Sequence, residues 1–575
     1  MHDDLQMMRQ LEMEKCFLDG QIPCRWVPDM GYGFGFPLYN FYPPLPYLVG
    51  QLFRVIGLSF VATVKLTFAL SFIASGVGMY LFAKEFFGRL GGTLSALFYI
   101  WAPYHAVDVY VRGAMNESWA LIWFPFILWT SYKLMKEPEK VKNKKKVLIK
   151  ERLDVWVKSK SFVWSVSLAL SWFGLLTSHN LMVIIFAPVF ILWLILLVIQ
   201  NKSLSSFYNL VFSGVLAFGL AAFFSVPALL ENKFTHVKST LVGYYDYTAH
   251  FVSLDQLFTS RFWGYGPSVW GIEDDGMPFQ IGHLHWTVSI AVFLMLVILL
   301  LRKRSNIVNY LNEKHFVLPV LLMLAVGWFT AFMAHSRSTP IWLAVGQLSY
   351  LQFPWRFLTL TTFAMSFIAG AIPTLIATNG KHNVIYRIFM AQQRLLISVL
   401  LVGILLALNW NYFKPQNGKM GKLTDEEKFT GAAWELQQTA GIYDYLPIYA
   451  EMAPNGPQKS VAEVMEGEAK LLEMVQGTEW AELKADVVSD EAIVRINIFK
   501  FPGWRVFSNK QELEVDIPDD EKWGRMYVKL GKGENKIKAK LFNTPERSVS
   551  NTVSLVAWTL LLAAIIYKKR LIRLR

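Results

Sequence analysis

The chain has 575 residues, of which 54% are hydrophobic and 17% are charged, and its formal net charge is +13. Soluble domains carry nearer a quarter charged residues, so this composition excludes one large water-soluble core. The Lys and Arg residues gather in loops between apolar runs, which favours positive-inside membrane topology over nucleic-acid binding.

The N-terminal segment, residues 1–60, is predicted to be the first extracytoplasmic loop. It opens with His2, Asp3 and Asp4, and no cleavable signal peptide is visible. Adjacent carboxylates here can supply a general base or hold a divalent metal ion such as Mg²⁺ or Mn²⁺; the simpler alternative is a solvated polar terminus. A translocated segment without a preceding helix is awkward to insert, so we expect one more helix upstream of this sequence.

Residues 19–44 form an aromatic loop that is rich in turn-forming residues. It is not a phosphate-binding loop, because no strand precedes it and no Lys-Ser or Lys-Thr pair follows it. Since Tyr and Trp favour the membrane interface, we predict an ordered loop on the bilayer surface, followed by a short interfacial helix at 45–58. The N-terminal segment also holds both cysteines, Cys16 and Cys24, which either form a disulfide or remain free thiols. The loop residues assigned to substrate contact are Arg25, Trp26, Tyr39 and Tyr42.

Apolar runs predict a polytopic α-helical membrane protein with about eleven spans, most of them in the domain at 61–412. The predicted spans are 61–84, 91–107, 117–135, 161–178, 181–200, 206–229, 286–301, 316–334, 354–378, 393–412 and 551–567. The connecting loops alternate between two kinds. By the positive-inside rule, the cytoplasmic side holds the basic residues Lys84, Arg89, Lys142, Lys144, Lys145, Lys146, Lys150, Arg152, Lys202, Arg302, Lys303, Arg304, Lys381 and Arg387 and the tail of the last domain, 551–575. The longer, aromatic segments predicted to face outward are 1–60, 108–116, 230–285, 335–353 and 413–550.

Residues 413–550 break the membrane pattern and predict an extracytoplasmic β-rich domain. Alternating runs at Ala492–Phe501, Gly524–Leu530 and Asn535–Phe542 predict strands. Turn-forming residues separate these runs at Val515–Asp520 and Gly531–Asn535. The expected form is a small β-sandwich, entered through a mixed segment at 424–450. Its surface either binds sugar or polymer or forms a structural cap.

Two further polar clusters lie at the predicted outer ends of the spans. The first contains Asp108, Arg112, Asn116 and Glu117; Arg112 either pairs with Glu117 or binds a phosphate through its planar fork. The second comprises His179, Asn180, His236, Lys238, His250, Arg261, His283, His285, Arg337 and Arg356. A single His or Arg is more often an interface anchor, but many on one membrane face favour an anionic headgroup or diphosphate ligand. No Ser-His-Asp order or HExxH motif is present.

Several strings follow one another along the chain: "GQIPCRWVPDMGYGFGFPLYNFYPPLPY", "VRGAMNES", "TSHN", "LQFPWRFL" and "FPGWRV". With them, nearly the whole chain resembles bacterial membrane proteins labelled 6-pyruvoyl-tetrahydropterin synthase-related. It is also similar to YfhO-like proteins and to the GT-C glycosyltransferase superfamily. The label implies no pterin chemistry, because this sequence offers no matching metal site.

The resemblance implies a fold of many helices whose first outer loop carries catalytic acids. GT-C enzymes use a polyprenyl-phosphate sugar as donor at the outer face, and the acceptor here would be an envelope glycan, lipid or protein. By position, Asp3 or Asp4 would be the base, and Glu117 would act as a second acid or orient an arginine. The groups that would bind the donor phosphate are Arg9, Arg112, His179, Arg337 and Arg356. The helix that precedes the first outer loop in the family is missing from this sequence.

Two other classes of function remain open. A non-catalytic membrane scaffold would use the β domain to bind envelope glycan, and the Asp pair would be dispensable. A transporter of lipid or sugar would be expected to show internal repeats and ionisable residues in mid-span. The sequence shows no clear repeat, and its ionisable groups crowd the outer ends, so transport is disfavoured.

Overall fold

The computed structural model describes residues 2–136, 149–201, 204–269, 275–302, 315–376, 384–416 and 423–573. The first helices are α1 (Gln6–Leu18), α2 (Leu38–Phe41), α3 (Leu45–Val55), α4 (Phe60–Ile100), α5 (Pro103–Ala106) and α6 (Met115–Lys136). The central helices are α7 (Ile149–Lys158), α8 (Lys160–Ser178), α9 (Asn180–Asn201), α10 (Leu204–Leu230), α11 (Leu254–Phe258), α12 (His283–Arg302), α13 (Val317–Met333), α14 (Thr339–Ala344), α15 (Leu358–Ala369), α16 (Ile372–Leu375) and α17 (Val384–Asn409).

The C-terminal part combines helices and strands. In chain order it contains α18 (Asp425–Lys428), α19 (Gly431–Thr439), β1 (Ala462–Glu466), β2 (Ala469–Gln476), β3 (Trp480–Phe499), β4 (Trp504–Ser508), β5 (Gln511–Leu513), β6 (Arg525–Leu541) and α20 (Pro545–Arg573). The mixed segment predicted at 424–450 is thus two short helices that lead into the strands.

Helix α4 reverses its direction at Gly88. This residue has φ 70° and ψ −173°, a non-helical conformation that glycine adopts readily. A Cβ atom on Gly76 would lie 2.3 Å from Ile100 Cδ1, although the two residues would be about 36 Å apart along one straight helix. The two halves of α4 therefore run antiparallel, in agreement with the separate predictions of 61–84 and 91–107.

Each predicted span overlaps a helical segment of the structure. Among the described residues, eight helices are long and apolar enough to cross a membrane. The count is nine if the pair Val317–Met333 and Ser336–Ala344, bent by 98°, forms one span. Helix α6 covers the predicted span 117–135 but is not one of these eight. The chain is therefore a polytopic helical membrane protein with a C-terminal sheet.

The segments predicted to face outward lie together at one end of the helices, which we call the sheet end. The contacts that connect them are the hydrogen bonds Asp3–Arg112, His2–Tyr265 and His236–Leu446 and the ring contact Tyr244–Phe353. Residues at the predicted cytoplasmic ends of the spans contact one another away from the sheet end. Lys133 Nζ donates to Glu85 Oε1 at 3.1 Å, and the Tyr567 hydroxyl donates to Asp154. Basic residues outside the described part are Lys142, Lys144, Lys145, Lys146, Lys202, Lys303, Arg304, Lys381 and Arg575.

The N-terminal segment contains helix α1 where a loop was predicted. Helix α3 confirms a helix within 45–58, and Pro46 lies in its first turn, where proline is well tolerated. Cys16 and Cys24 form a disulfide, which decides between the two alternatives that the sequence left open.

The strands form one antiparallel sheet in the order β1-β3-β6-β4-β5, with β2 also paired to β3. The expected sandwich of two sheets is therefore wrong. The turn expected at Gly531–Asn535 is also wrong, because β6 runs through it and pairs with β3 on both sides. The pairing shifts register between Val487 and Glu491 of β3, opposite Gly533 and Gly531, so the glycines accommodate an irregularity in the partner strand.

The aromatic loop covers this sheet. Trp26 is 1% exposed, and its ring centroid lies 5.8 Å from that of Phe501 and 5.6 Å from that of Trp504. Phe34 packs in the same way on Phe499, with centroids 5.6 Å apart. The loop therefore packs on the sheet domain, where the sequence predicted contact with the bilayer surface. Aromatic rings are buried favourably in either environment, so the sequence did not separate the two.

Candidate functional site

A tight turn before α6 brings Arg112 and Glu117 together. The π-helical turn Val107–Arg112 ends at Gly113, whose φ of 65° turns the chain toward α6. Glu117 lies in the first turn of α6, where the helix dipole favours a carboxylate. Arg112 Nη1 lies 2.7 Å from Glu117 Oε2 and 2.5 Å from Asp108 Oδ1. Arg112 is thus bound to two buried carboxylates.

Arg356 approaches the same carboxylate from another part of the chain. It lies in the 3₁₀ turn Pro354–Phe357, which begins with proline and leads into α15. Its Nη1 donates to the carbonyl of Leu351 at 2.6 Å. Its Nε lies 3.7 Å from Glu117 Oε2 and has no hydrogen-bond partner among the described residues. Because this distance exceeds that of a hydrogen bond, Arg356 is paired with Glu117 more loosely than Arg112 is.

Two more groups complete this set. The hydroxyl of Tyr104 donates to Glu117 Oε1 at 3.0 Å. The Nδ1 atom of His179 accepts from the backbone N–H groups of Leu181 and Met182 at 3.2 and 3.4 Å, so a neutral His179 carries its proton on Nε2. His179 lies within electrostatic range of Glu117. The arginine cluster consists of Tyr104, Asp108, Arg112, Glu117, His179 and Arg356.

Hydrogen bonds attach the N-terminus to the arginine cluster. The backbone N–H of Asp3 donates to the carbonyl of Arg112 at 2.8 Å. Gln6 Nε2 donates to the carbonyl of Gly113 at 2.7 Å and to Asp3 Oδ2 at 2.9 Å. Arg9 Nη1 donates to the same Oδ2 atom at 2.7 Å. The structure thus brings Asp3 and Arg9 beside the arginine cluster.

The two carboxylates of the Asp pair have different surroundings. Both side-chain hydrogen bonds to Asp3 reach Oδ2, and Oδ1 accepts none from the described residues. Asp4 forms an ion pair with Lys428 of α18 and is about half exposed. Asp3 is therefore bonded beside the arginine cluster, whereas Asp4 belongs to the contact with the segment that leads into the sheet. Which of the two would act as the base stays a prediction.

Tyrosines of the N-terminal segment hold Arg9 in place. The Arg9 guanidinium lies 4.2 Å from the ring centre of Tyr42 and donates to its hydroxyl at 3.0 Å. Burial raises the pKa of Tyr42 to about 12, so the phenol stays protonated. The buried Tyr39 donates to the carbonyl of Arg9. Tyr47, which sequence reasoning missed, donates to the Gln6 amide oxygen at 2.5 Å.

Asp444 is a further acidic residue at this site that sequence reasoning missed. It ends a 3₁₀ turn, and the next residue, Tyr445, stacks on Phe41 of the aromatic loop with ring centroids 5.4 Å apart. Burial raises the pKa of Asp444 to about 6; nearby Arg9 opposes this rise and Asp3 adds to it. Sequence reasoning found no signal for Asp444, because it is a single acidic residue in the segment that leads into the sheet and its partners are distant in the chain.

Arg25 belongs to a different buried set, which we call the Glu231 cluster. Arg25 Nη2 donates to Asn551 Oδ1 at 2.7 Å, and Asn40 Nδ2 donates to Glu231 Oε2 at 2.8 Å. Arg547 Nη2 lies 2.8 Å from the same Glu231 oxygen. This cluster ties the aromatic loop to the ends of α10 and α20. Arg25 and Trp26 are therefore buried in contacts that hold the fold together, and their assignment to substrate contact stays a prediction.

Two remaining expectations concern Arg337 and a metal ion. Arg337 is exposed in the turn Ser336–Ser338, and none of its described contacts joins it to the arginine cluster. The described residues contain no group of three or more His, Cys, Asp or Glu side chains suited to holding a metal. The carboxylates of Asp3 and Asp4 already pair with Arg9 and Lys428. The residues present therefore do not fit a divalent metal site.

Comparison with known proteins gives a partial match. No protein-family model matches the chain. A curated protein from Lactococcus lactis subsp. cremoris (strain MG1363), described as an uncharacterized protein, is 25% identical over 223 residues. The match covers 37% of this chain and 33% of that protein, so the chain spans about a third of the relative's length. The function therefore has to be argued from the site.

Proposed function

We propose that this chain is a membrane glycosyltransferase of the GT-C type with eleven spans. It would move a sugar from a polyprenyl-phosphate donor to an envelope acceptor. The physical argument is that a water-soluble nucleotide sugar is not expected outside the cytoplasm, so the donor must be carried in the bilayer. An enzyme for such a donor needs acidic and basic groups at the ends of its spanning helices, and ionisable residues at membrane depth are seldom retained without a function.

We infer that the sheet end faces the exterior. The positive-inside rule, which applies to short loops, supports this orientation, because 108–116, 230–285 and 335–353 are poor in Lys and Arg compared with the alternate set. The Cys16–Cys24 disulfide supports it too, since disulfides persist in oxidising compartments and are rare in the cytosol. In this orientation the sheet domain is extracytoplasmic and the tail after α20 is cytoplasmic.

The observation that carries the proposal is that the Asp3 carboxylate is held through one oxygen only and leaves its Oδ1 atom open. This oxygen has no hydrogen-bond donor among the described residues, while Oδ2 of the same carboxylate is fixed by Arg9 and Gln6. A carboxylate held on one oxygen and open on the other is suited to general-base catalysis. Asp3 Oδ1 would take the proton of the acceptor hydroxyl, whose oxygen then attacks the anomeric carbon.

The arginine cluster would receive the leaving group. The bond between the anomeric carbon and the phosphate oxygen breaks, and its electron pair stays on the lipid phosphate. Arg356 is the better partner for that charge, because its described ion pair with Glu117 is long at 3.7 Å, whereas Arg112 lies within 2.7 Å of both Asp108 and Glu117. Preorganised donors of this kind stabilise developing charge without reorganisation. Glu117 would orient both guanidinium groups.

The test is Asp3→Asn, with Asp4→Asn as the matched control. Purified chain in lipid vesicles is supplied with radiolabelled polyprenyl-phosphate hexoses and an envelope extract, and transfer of label is measured. We expect Asp3→Asn to lower the rate by about 10²–10⁴-fold, the usual contribution of a general base. Asp4→Asn should keep most of the activity, because Asp4 pairs with Lys428 outside the site.

Two results would contradict the proposal in different ways. Full activity of Asp3→Asn removes Asp3 as the base but leaves glycosyl transfer standing. Absence of transfer by the unmodified chain with every donor removes the enzymatic function and favours the scaffold alternative. Binding of envelope glycan by the chain would then be measured directly.

A further inference from the structure

A groove at the sheet end lies outside the site described above. It is a cavity of about 600 Å³ between the segment after α11 and the end of α17. Its lining residues are Arg261, Trp263, Tyr265, Leu408, Asn411, Tyr412, Lys414 and Gln416. Two of them are cations, and none of these described lining residues is acidic. The groove is therefore suited to an anionic ligand.

The walls of the groove are fixed by contacts across it. Arg261 Nη2 donates to the carbonyl of Leu408 at 3.1 Å, and the Tyr265 hydroxyl donates to the carbonyl of Lys414 at 2.7 Å. The rings of Trp263 and Tyr412 stack with centroids 4.5 Å apart and planes 16° apart. These contacts hold the two walls of the groove together before a ligand arrives, which lowers the ordering cost of binding.

The groove lies at the depth expected for lipid headgroups. Leu408 is in the last turn of α17, whose apolar segment Ile388–Tyr412 is long enough to cross a membrane. Trp410 is exposed next to the groove and stacks on Trp101 at 5.6 Å, and Phe262 is exposed beside Arg261. Exposed aromatic side chains at the end of a spanning helix mark the membrane–water interface.

We propose that this groove binds the phosphate headgroup of an anionic phospholipid from the surrounding leaflet. Arg261 and Lys414 would bind the phosphate, because guanidinium and ammonium groups donate charge-assisted hydrogen bonds to it. The amides of Asn411 and Gln416 would contact the polar part of the headgroup, and the acyl chains would extend along α17. This inference is independent of glycosyl transfer.

The groove is also connected to the N-terminus. His2 Nε2 lies 3.2 Å from the carbonyl oxygen of Tyr265, whose ring lines the groove. The next residue, Asp3, is bonded to Arg112 through its backbone. His2 therefore links the wall of the groove to the residue next to it in the chain, Asp3.

The experiment compares lipids on the full-length chain in mild detergent. Short-chain phosphatidylglycerol and phosphatidylcholine are titrated separately, and retained lipid is counted by native mass spectrometry. We expect preferential binding of phosphatidylglycerol, and a loss of about tenfold or more in its affinity for the double variant Arg261→Gln/Lys414→Gln. Phosphatidylcholine binding should change little in that variant.

The matched control is Arg337→Gln/Lys238→Gln, which removes two exposed cations of the sheet end that do not line the groove. It should bind phosphatidylglycerol as the unmodified chain does. An equal loss of phosphatidylglycerol affinity in both double variants would overturn the proposal, because it would show that general surface charge, and not this groove, attracts the lipid.

A competition arm separates lipid from free phosphate. Glycerol phosphate, which has the headgroup without acyl chains, should fail to displace phosphatidylglycerol at equal concentration. Full displacement of phosphatidylglycerol would overturn the lipid assignment and would indicate a site for water-soluble phosphate compounds. If the double variant does not fold, the unmodified chain decides: equal binding of both phospholipids overturns the proposal.

Discussion

Glu231 and Arg547 show how charge is accommodated inside this protein. Their side chains are 2% and 1% exposed, and the closest nitrogen and oxygen atoms are 2.8 Å apart. Asn40 and Thr544 donate further hydrogen bonds to the same carboxylate. A buried ion pair is stable only when its remaining hydrogen-bonding capacity is satisfied in this way.

We expect Glu231→Gln to destabilise the protein by about 3–5 kcal/mol, because Arg547 and the nearby Arg25 would be left as uncompensated buried cations. The free energy of unfolding is measured on purified protein in detergent by tryptophan fluorescence. Glu512→Gln is the control, since Glu512 and Arg505 are 44% and 47% exposed. Its effect should be much smaller, because solvent screens an exposed ion pair. Equal effects of the two variants would contradict this account.

Sequence reasoning singled out some residues of the candidate site and missed others for a physical reason. Arg112, Glu117 and Arg356 stood out because charged groups at the ends of apolar helices are costly and therefore conspicuous. Gln6 and Asp444 did not stand out, since an uncharged amide and a lone acid gain meaning only through partners distant in the chain. Asp4 could be separated from Asp3 only once its ion pair with Lys428 was visible.

At the scale of elements, the break in α4 depends on one residue. Gly88 has a positive φ with ψ near 180°, a region that is essentially restricted to glycine. A Cβ atom added there would contact nothing within 4 Å, so neighbouring side chains do not add to the strain. The fold of the first helical hairpin therefore rests on backbone freedom at this position.

We expect Gly88→Ala to destabilise the protein by about 1–3 kcal/mol through backbone strain alone. Gly214→Ala in α10 is the matched control, because its Cβ also meets nothing and its φ is not positive. That variant should be stabilising by about 0.5–1 kcal/mol. Thermal unfolding of the three proteins in one detergent gives the comparison. An unaffected Gly88→Ala variant would mean that the turn tolerates another conformation.

The elements differ in how well the sequence predicted them. Helices were located reliably, since a long apolar run must satisfy its own backbone hydrogen bonds in lipid. The strand pattern was also correct at Ala492–Phe501 and Gly524–Leu530, apart from end residues. The continuity of β6 through Gly531–Asn535 was not predictable, because it depends on an irregularity in β3. The packing of the aromatic loop on the sheet domain was not predictable either, because the sequence does not show which surface the loop covers.

At the scale of the whole molecule, sidedness is the property most in need of a direct test. Single cysteines are introduced at exposed positions and labelled in intact cells with a membrane-impermeant maleimide. We expect Asp490→Cys and Arg337→Cys, at the sheet end, to react without permeabilisation. Arg89→Cys and Lys569→Cys should react only after it. The two native cysteines are paired and should give no background.

The reverse labelling pattern would place the sheet domain in the cytosol. A bilayer-borne sugar donor at the exterior would then have no access to Asp3, and the proposed reaction would have to be abandoned. Labelling of both ends in intact cells would indicate damaged membranes, which an unmodified cytosolic marker protein detects.

The packing of Trp26 on Phe501 and Trp504 has a consequence for biosynthesis. Residues 1–60 are synthesised before the strands with which they complete their apolar core. Throughout translation of the intervening helices, the rings of Trp26 and Phe34 lack their partners in the sheet domain and must be shielded from aggregation. Ribosomes that stop before the strands would therefore release chains whose amino-terminal part is unpacked, and such chains are natural targets for membrane quality-control proteases.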